Sequence, residues 1–437
     1  MGGLRARPRL LAAGAGVLLL AGCTANQLLA YLTDSLFGAP PFTTLVERLE
    51  PAGSANSSFG WAVDVDGDFV IVGAPYATGG GAAWIFRRQA DGSFDAGTKL
   101  TASDATADDR FGQAVGISGD WAVVGADRND AATADDDGSI YIFERTGGNS
   151  WTEDSSFNID DFGQGAVTND RLGYEVAIHG DWIAATSFQD DLGGAANDNY
   201  GAVYLFRWAG GSWGYDSRLD PGATPDKSSA NFGQSVELRA NEILVGAHGE
   251  AGATPDEGAA YIYLRVLDSW ELSDHIVSPT PQNNGWFGLS SSIGGDYVLV
   301  GEPLVTQDGA DQAGAVYAFE RGAGDNWDAD PPEQILADTA DTGDWFGVSV
   351  AIEGDHALIG AVFKNDNGDD AGAVYLYERT GPLTWERVEE LIPDGLVAGD
   401  YLGRSVAMDD DGLAVVGATD ISLGAEPGGD GAVYVYE

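Results

Sequence analysis

Cysteine is almost missing from this chain: Cys23 is the only one in 437 residues, so no disulfide can form within it and burial must hold the fold. Basic residues are scarce too. There are 21 Lys and Arg against 69 Asp and Glu, a formal charge of -48, and the only lysines are Lys99, Lys227 and Lys364. Nucleic acid is thereby excluded as a partner, because its binding depends on basic surface displacing counterions from phosphate. Neither a His-Glu-x-x-His helix nor a Gly-rich phosphate loop occurs, and with so many carboxylates a glycosidase-like pair could be drawn anywhere and carries no information. The four histidines, His179, His248, His275 and His356, offer little for catalysis; His248 is the least ordinary of them. Long apolar runs are lacking except Leu10 to Ala21, which is too short to span a bilayer as a finished helix.

What is present is a core. Hydrophobic residues make up 44%, with 12 Trp, 16 Tyr and 17 Phe, too rich for disorder despite the charge. The acidity itself has two readings, carboxylates gathered to hold cations or a general acidic surface that keeps the protein soluble, as in saline habitats.

The N-terminus reads as an address. Arg5, Arg7 and Arg9 precede the apolar run, and Leu20-Ala21-Gly22-Cys23 follows it, the order of a secretory signal. Those last four residues resemble the lipobox of bacterial lipoproteins. The resemblance implies a signal peptide over 1–22, cleavage before Cys23, acyl chains on Cys23, and a lipidated tether over 23–41. Several acyl chains would anchor stably where one holds only marginally. Thr24, not aspartate, follows the cysteine, which by the same resemblance favours the outer membrane or cell surface of a bacterial envelope over retention on the inner membrane.

Beyond the tether the sequence repeats. An aromatic or leucine followed by glycine recurs at Phe59, Phe111, Leu172, Phe232, Phe287, Phe346 and Leu402, each opening a unit of about fifty to sixty residues. Each unit carries four short strand-like runs, illustrated by Val348 to Ile352, His356 to Ala361, Ala373 to Tyr377 and Trp385 to Leu391. Runs this short between Gly and Asp clusters are strands. Four strands per unit make a propeller blade, so residues 42–437 are expected to form an all-β, seven-bladed β-propeller with four antiparallel strands per blade. The first strand is small-residued and suits the axis; the next two are apolar on consecutive positions because both blade faces are covered; the fourth is polar and belongs at the rim. The seventh unit stops at Gly431 to Glu437 without a fourth strand. Phe42 to Leu49 has the missing pattern, so it is expected to pair beside Gly431 to Tyr436 and close the ring.

Phe59-Gly60 followed by Gly73-Ala74-Pro75, with weaker versions at Gly125-Ala126-Asp127, Gly246-Ala247-His248 and Gly417-Ala418-Thr419, resembles the FG-GAP repeat, the unit of the integrin alpha head and of bacterial secreted proteins. The third unit departs, with Ala185-Thr186-Ser187 in that place. Up-and-down strands put tight glycine turns such as Ser118-Gly119-Asp120 on one face and the long acidic loops on the other, the face with which integrin heads meet ligands.

Those loops carry Asp135, Asp136 and Asp137, then Asp190, Asp191 and Asp198, then Asp366, Asp369 and Asp370, the candidate ligands if calcium binds, since calcium takes six to eight oxygens. The loops lack any register such as the EF-hand pattern, and solvated loop is the other reading. Only stubs of the integrin calcium loop stand between the first and second strands, at Asp64 to Asp68 and Asp409 to Gly412. The aspartates two places before the repeat start, Asp109, Asp170, Asp344 and Asp400, read as turn residues. Trp84, Trp213, Trp270 and Trp327 read as core and rim packing. The expected function is a membrane-tethered, non-catalytic binding module for adhesion or for protein or glycan recognition through the acidic loop face. Its rivals are a periplasmic scaffold for envelope assembly and an enzyme acting in the channel.

Overall fold

The computed structural model describes residues 42–50, 57–130, 136–163, 168–192, 199–222, 229–323, 326–327, 331–339, 341–419 and 431–437. The signal-like segment, Cys23 and the tether lie outside them. Seven four-stranded antiparallel sheets are arranged as blades, six of them built from four consecutive strands. Blade 6 shows the pattern: Phe346–Glu353, His356–Ala361, Ala373–Gly381 and Thr384–Leu391 pair in sequence order. Its first strand starts two residues earlier than the apolar run suggests, because Phe346 pairs with Ala361 across a bulge before Ser349 resumes the ladder. The seventh blade takes its outer strand, Leu45–Leu49, from the other end of the chain. Leu45 faces Tyr436, Arg48 faces Tyr434 and Leu49 faces Val433, and Thr44 and Glu437 exchange both backbone hydrogen bonds at 2.9 Å.

The repeat signature has a packing cause. Phe59, Phe111, Leu172, Phe232, Phe287, Phe346 and Leu402 are fully buried, each among apolar side chains of two neighbouring blades, as Phe59 lies with Val72 and Trp84 of its own blade and Val433 and Val435 of the last. The glycine after each sits at φ between +86° and +96°, and the residue before each also has positive φ, from +50° at Ser58 to +62° at Arg171. This kink sets the chain against the preceding blade: Phe111 bridges Gly81, Leu172 bridges Gly138 and Phe59 bridges Gly431. The glycine of the second motif faces the same junction. A Cβ on Gly125 would lie 1.9 Å from the carbonyl oxygen of Gly173 in the next blade, so only glycine allows that approach. In blade 3 the position is Thr186, and its hydroxyl accepts the Glu175 N–H at 3.0 Å.

Neighbouring inner strands do not share a ladder; side chains satisfy their facing backbone groups instead. Asp64 of blade 1 accepts the Ile117 N–H of blade 2 at 2.8 Å, Glu237 of blade 4 accepts the Ile293 N–H of blade 5 at 2.8 Å, and the Ser292 hydroxyl accepts the Ile352 N–H at 3.1 Å. The two aspartate stubs near the short turns are therefore used largely for structure. Asp66 accepts the Gly119 N–H of the next blade, and Asp409 accepts the Leu413 N–H of its own turn.

Candidate functional site

The inner strands enclose an axial cavity of about 1030 Å³. At its short-turn end Arg239 lies 3.0 Å from Glu237 and 3.3 Å from Glu353, bridging blades 4 and 6. Burial pushes Asp64 up to about 7 against its two backbone hydrogen bonds. Higher in the cavity, burial likewise pushes Glu175 up to about 7, partly offset by the Arg404 guanidinium.

At the long-loop end the cavity opens through a collar made of three runs of large side chains. On the arc formed by blades 4 to 7, His248 meets Trp286 edge-on at 5.2 Å, Trp286 meets Trp345 at 6.3 Å, Trp345 meets Phe363 at 4.7 Å and Phe363 meets Tyr401 at 5.7 Å. Continuing round, Arg404 stacks over Trp61 at 4.3 Å, Trp61 meets Tyr76 at 5.6 Å and Arg110 lies 5.3 Å over Tyr76. The last sector runs from Asp127 to Arg171 (3.7 Å), from Arg171 to Phe188 (6.0 Å), and from Phe188 to Tyr174 (4.1 Å). The Gln234 amide closes it by donating to the Tyr174 hydroxyl at 3.0 Å. Most of these side chains are half-buried. Asp127 is fully buried; burial raises its carboxyl to about 6 while Arg110, Arg171 and Arg128 pull it down. Burial lowers His248 to about 4, so it is neutral at pH 7.

The collar comes from the residues flanking the repeat starts and from those just after the second strands, namely Tyr76, Asp127, Phe188, His248 and Phe363. Trp286, Trp345, Tyr401, Arg110 and Arg171 stand immediately before a repeat start, and Trp61, Tyr174, Gln234 and Arg404 immediately after its glycine. The positive φ of the preceding residue turns the chain at that point. The reading of the sequence missed this site, because no single letter repeats at those positions. A register of the seven units would have shown that most of the side chains there are large.

The loop aspartates that are described are not brought together as one cluster. Asp135 and Asp198 lie outside the described residues. Asp136 is half-buried in blade 2 and Asp137 buried. Asp190 accepts the Tyr204 hydroxyl at 2.5 Å and the Leu192 N–H at 2.6 Å, and Asp191 accepts the Asn199 N–H at 2.9 Å. Asp366 pairs with Lys364 at 3.5 Å; Asp369 is exposed, and the Asp370 N–H donates to Asn365. Among the described residues no three His, Cys, Asp or Glu side chains gather as metal ligands would. Asp109, Asp344 and Asp400 each accept the N–H three residues upstream, at 2.7, 3.0 and 2.8 Å, as turn residues do. Trp84, Trp213 and Trp327 are buried, and Trp270 packs edge-on against Trp182 at 5.5 Å.

Gly210-Gly211-Ser212-Trp213-Gly214 has the spacing of a nucleophile elbow. Ser212, however, opens the outer strand of blade 3 after a hairpin turn, without the strand-to-helix geometry that chemistry needs. The cavity wall is concave and mixes apolar side chains with many polar and charged ones, a surface suited to holding a ligand.

Compared with curated proteins, the chain has no match. A family model described as FG-GAP repeat matches residues 48–86, 95–143, 223–263, 333–377 and 385–436. The first match runs from the outer strand of blade 7 into blade 1, so the family's repeat is offset from the blade by one strand. With more than half of its residues so matched and seven blades in its fold, the chain belongs to the FG-GAP repeat family of β-propellers.

Proposed function

We infer that this propeller is a membrane-tethered, non-catalytic recognition module of a bacterial envelope, held by acyl chains on Cys23, whose ligand enters through the collar on the long-loop face. The observation that carries the reading is the set of half-buried aromatic and arginine side chains, Trp61, Tyr76, Trp286, Trp345, Phe363 and Arg404, that line the open cavity. Half-buried aromatics present contact area at small entropic cost and are the anchors of binding surfaces. The acidic loops outside the collar repel anionic surfaces and leave the axis as the contact.

Two measurements test it. The chain and its Cys23→Ser variant are partitioned between detergent and water; the parent should enter the detergent phase and the variant should not. Labelled chain is then bound to envelope fractions of the cells that produce it, with unlabelled chain as competitor. Saturable retention that Trp286→Ala and Trp345→Ala abolish supports the collar. Equal retention of parent and variants would move the ligand elsewhere.

A further inference from the structure

Resting on that reading, we propose that the collar and axial cavity take a neutral oligosaccharide. Three observations point there. The first is the charge of the wall: Arg239 is shared between Glu237 and Glu353, Arg404 faces Glu175, and with Asp64, Asp66, Asp409 and Asp410 also lining the cavity the carboxylates are in excess. That excess repels an anion, while Arg404 and Arg110 already cover the rings of Trp61 and Tyr76 that a cation would seek.

The second is a set of acceptors without donors. Gln113 is 4% exposed and lines the cavity, yet its Oε1 has no hydrogen-bond partner. Thr419 is fully buried, lines the same cavity, and its hydroxyl oxygen has none either. Leaving such atoms unmatched is costly, and hydroxyl groups of a ligand would satisfy them. The third is the uncovered arc. Trp286 and Trp345 are half-buried, carry no stacked arginine among the described residues, and line the same cavity as those acceptors. A sugar ring has both an apolar C–H face and a rim of hydroxyls, so it fits rings and lone pairs together, as neither a purely apolar ligand nor a simple ion does. A cavity of about 1030 Å³ takes a short oligosaccharide rather than a single ring.

The test titrates the full chain with the trimers of β-1,4-linked N-acetylglucosamine, cellulose, maltose and β-1,3-glucan type, and with trilysine. Tryptophan fluorescence and calorimetry follow the binding. At least one neutral trimer should saturate, and Trp345→Ala and Gln113→Ala should each weaken it about tenfold or more, with Asp268→Ala, on an exposed turn of blade 4, as the unchanged control. Melting temperatures of all variants are measured, and Trp286→Ala substitutes for any that fails to fold. No saturation by any trimer, or saturation indifferent to the collar variants, overturns the proposal. Collar-dependent binding of trilysine alone would overturn the sugar while leaving the collar as the recognition site; binding of either class that ignores the collar would sink both.

Discussion

Glu302 stands where five other blades place alanine after the glycine, as in Gly73-Ala74 and Gly125-Ala126. It is fully buried; the Ser278 hydroxyl donates to its Oε2 at 2.9 Å, and Oε1 has no hydrogen-bond partner. Burial raises its pKa from 4.5 to about 8. The folded state therefore holds a proton that the unfolded chain releases near 4.5, and stability falls as pH rises between the two values. At about 1.4 kcal/mol per unit the full shift would cost about 5 kcal/mol above pH 8, and relaxation of the site brings the working figure to about 2–3 kcal/mol. Glu302→Gln keeps the shape and removes the titration. Urea unfolding of both proteins from pH 5 to 9 is the assay: the variant should match the parent near pH 5 and exceed it by that amount at pH 9. Parallel profiles would refute the assignment of a protonated, buried Glu302.

Gly125→Ala, whose Cβ would strike the Gly173 carbonyl, should cost about 3 kcal/mol or prevent folding. Gly119→Ala, with φ +60° but open space around it, should cost only about 1 kcal/mol, and chemical denaturation compares the two. Lys364 is buried among Asp341, Asp344 and Asp366; Lys364→Met leaves the buried Asp344 carboxylate uncompensated and should cost about 3–5 kcal/mol at neutral pH, read by the shift in unfolding midpoint. Leu49→Ala in the closing strand, 3% exposed against Val433, should cost about 2–4 kcal/mol, again by denaturation.

The blades were legible because their determinants repeat as letters. Phe at the blade junction and glycine beside it are demanded by burial and by close backbone approach, so the same two residues return in most units. The closing strand was legible because the seventh unit lacked an outer strand and Leu45 to Leu49 had its pattern. The collar was not, since its role asks only for size and a flat face, which Trp286, Tyr401, Arg404 and Gln234 meet with different letters. The aspartates drew attention by number, whereas Asp109, Asp190 and Asp344 are taken up by their own turns and neighbours. Composition counts carboxylates without showing which ones the backbone has already engaged.

The join between Leu45–Leu49 and Ala432–Tyr436 also sets an order of events during folding. Six blades can form from consecutive chain, yet the last cannot be completed until Ala432–Tyr436 is available, and Leu45–Leu49, the first strand among the described residues, has no sheet partner until then. A waiting strand edge is a template for another chain. Here Glu47 and Arg48 interrupt the apolar residues of that strand, which makes mispairing with a neighbour less favourable while the ring is still open.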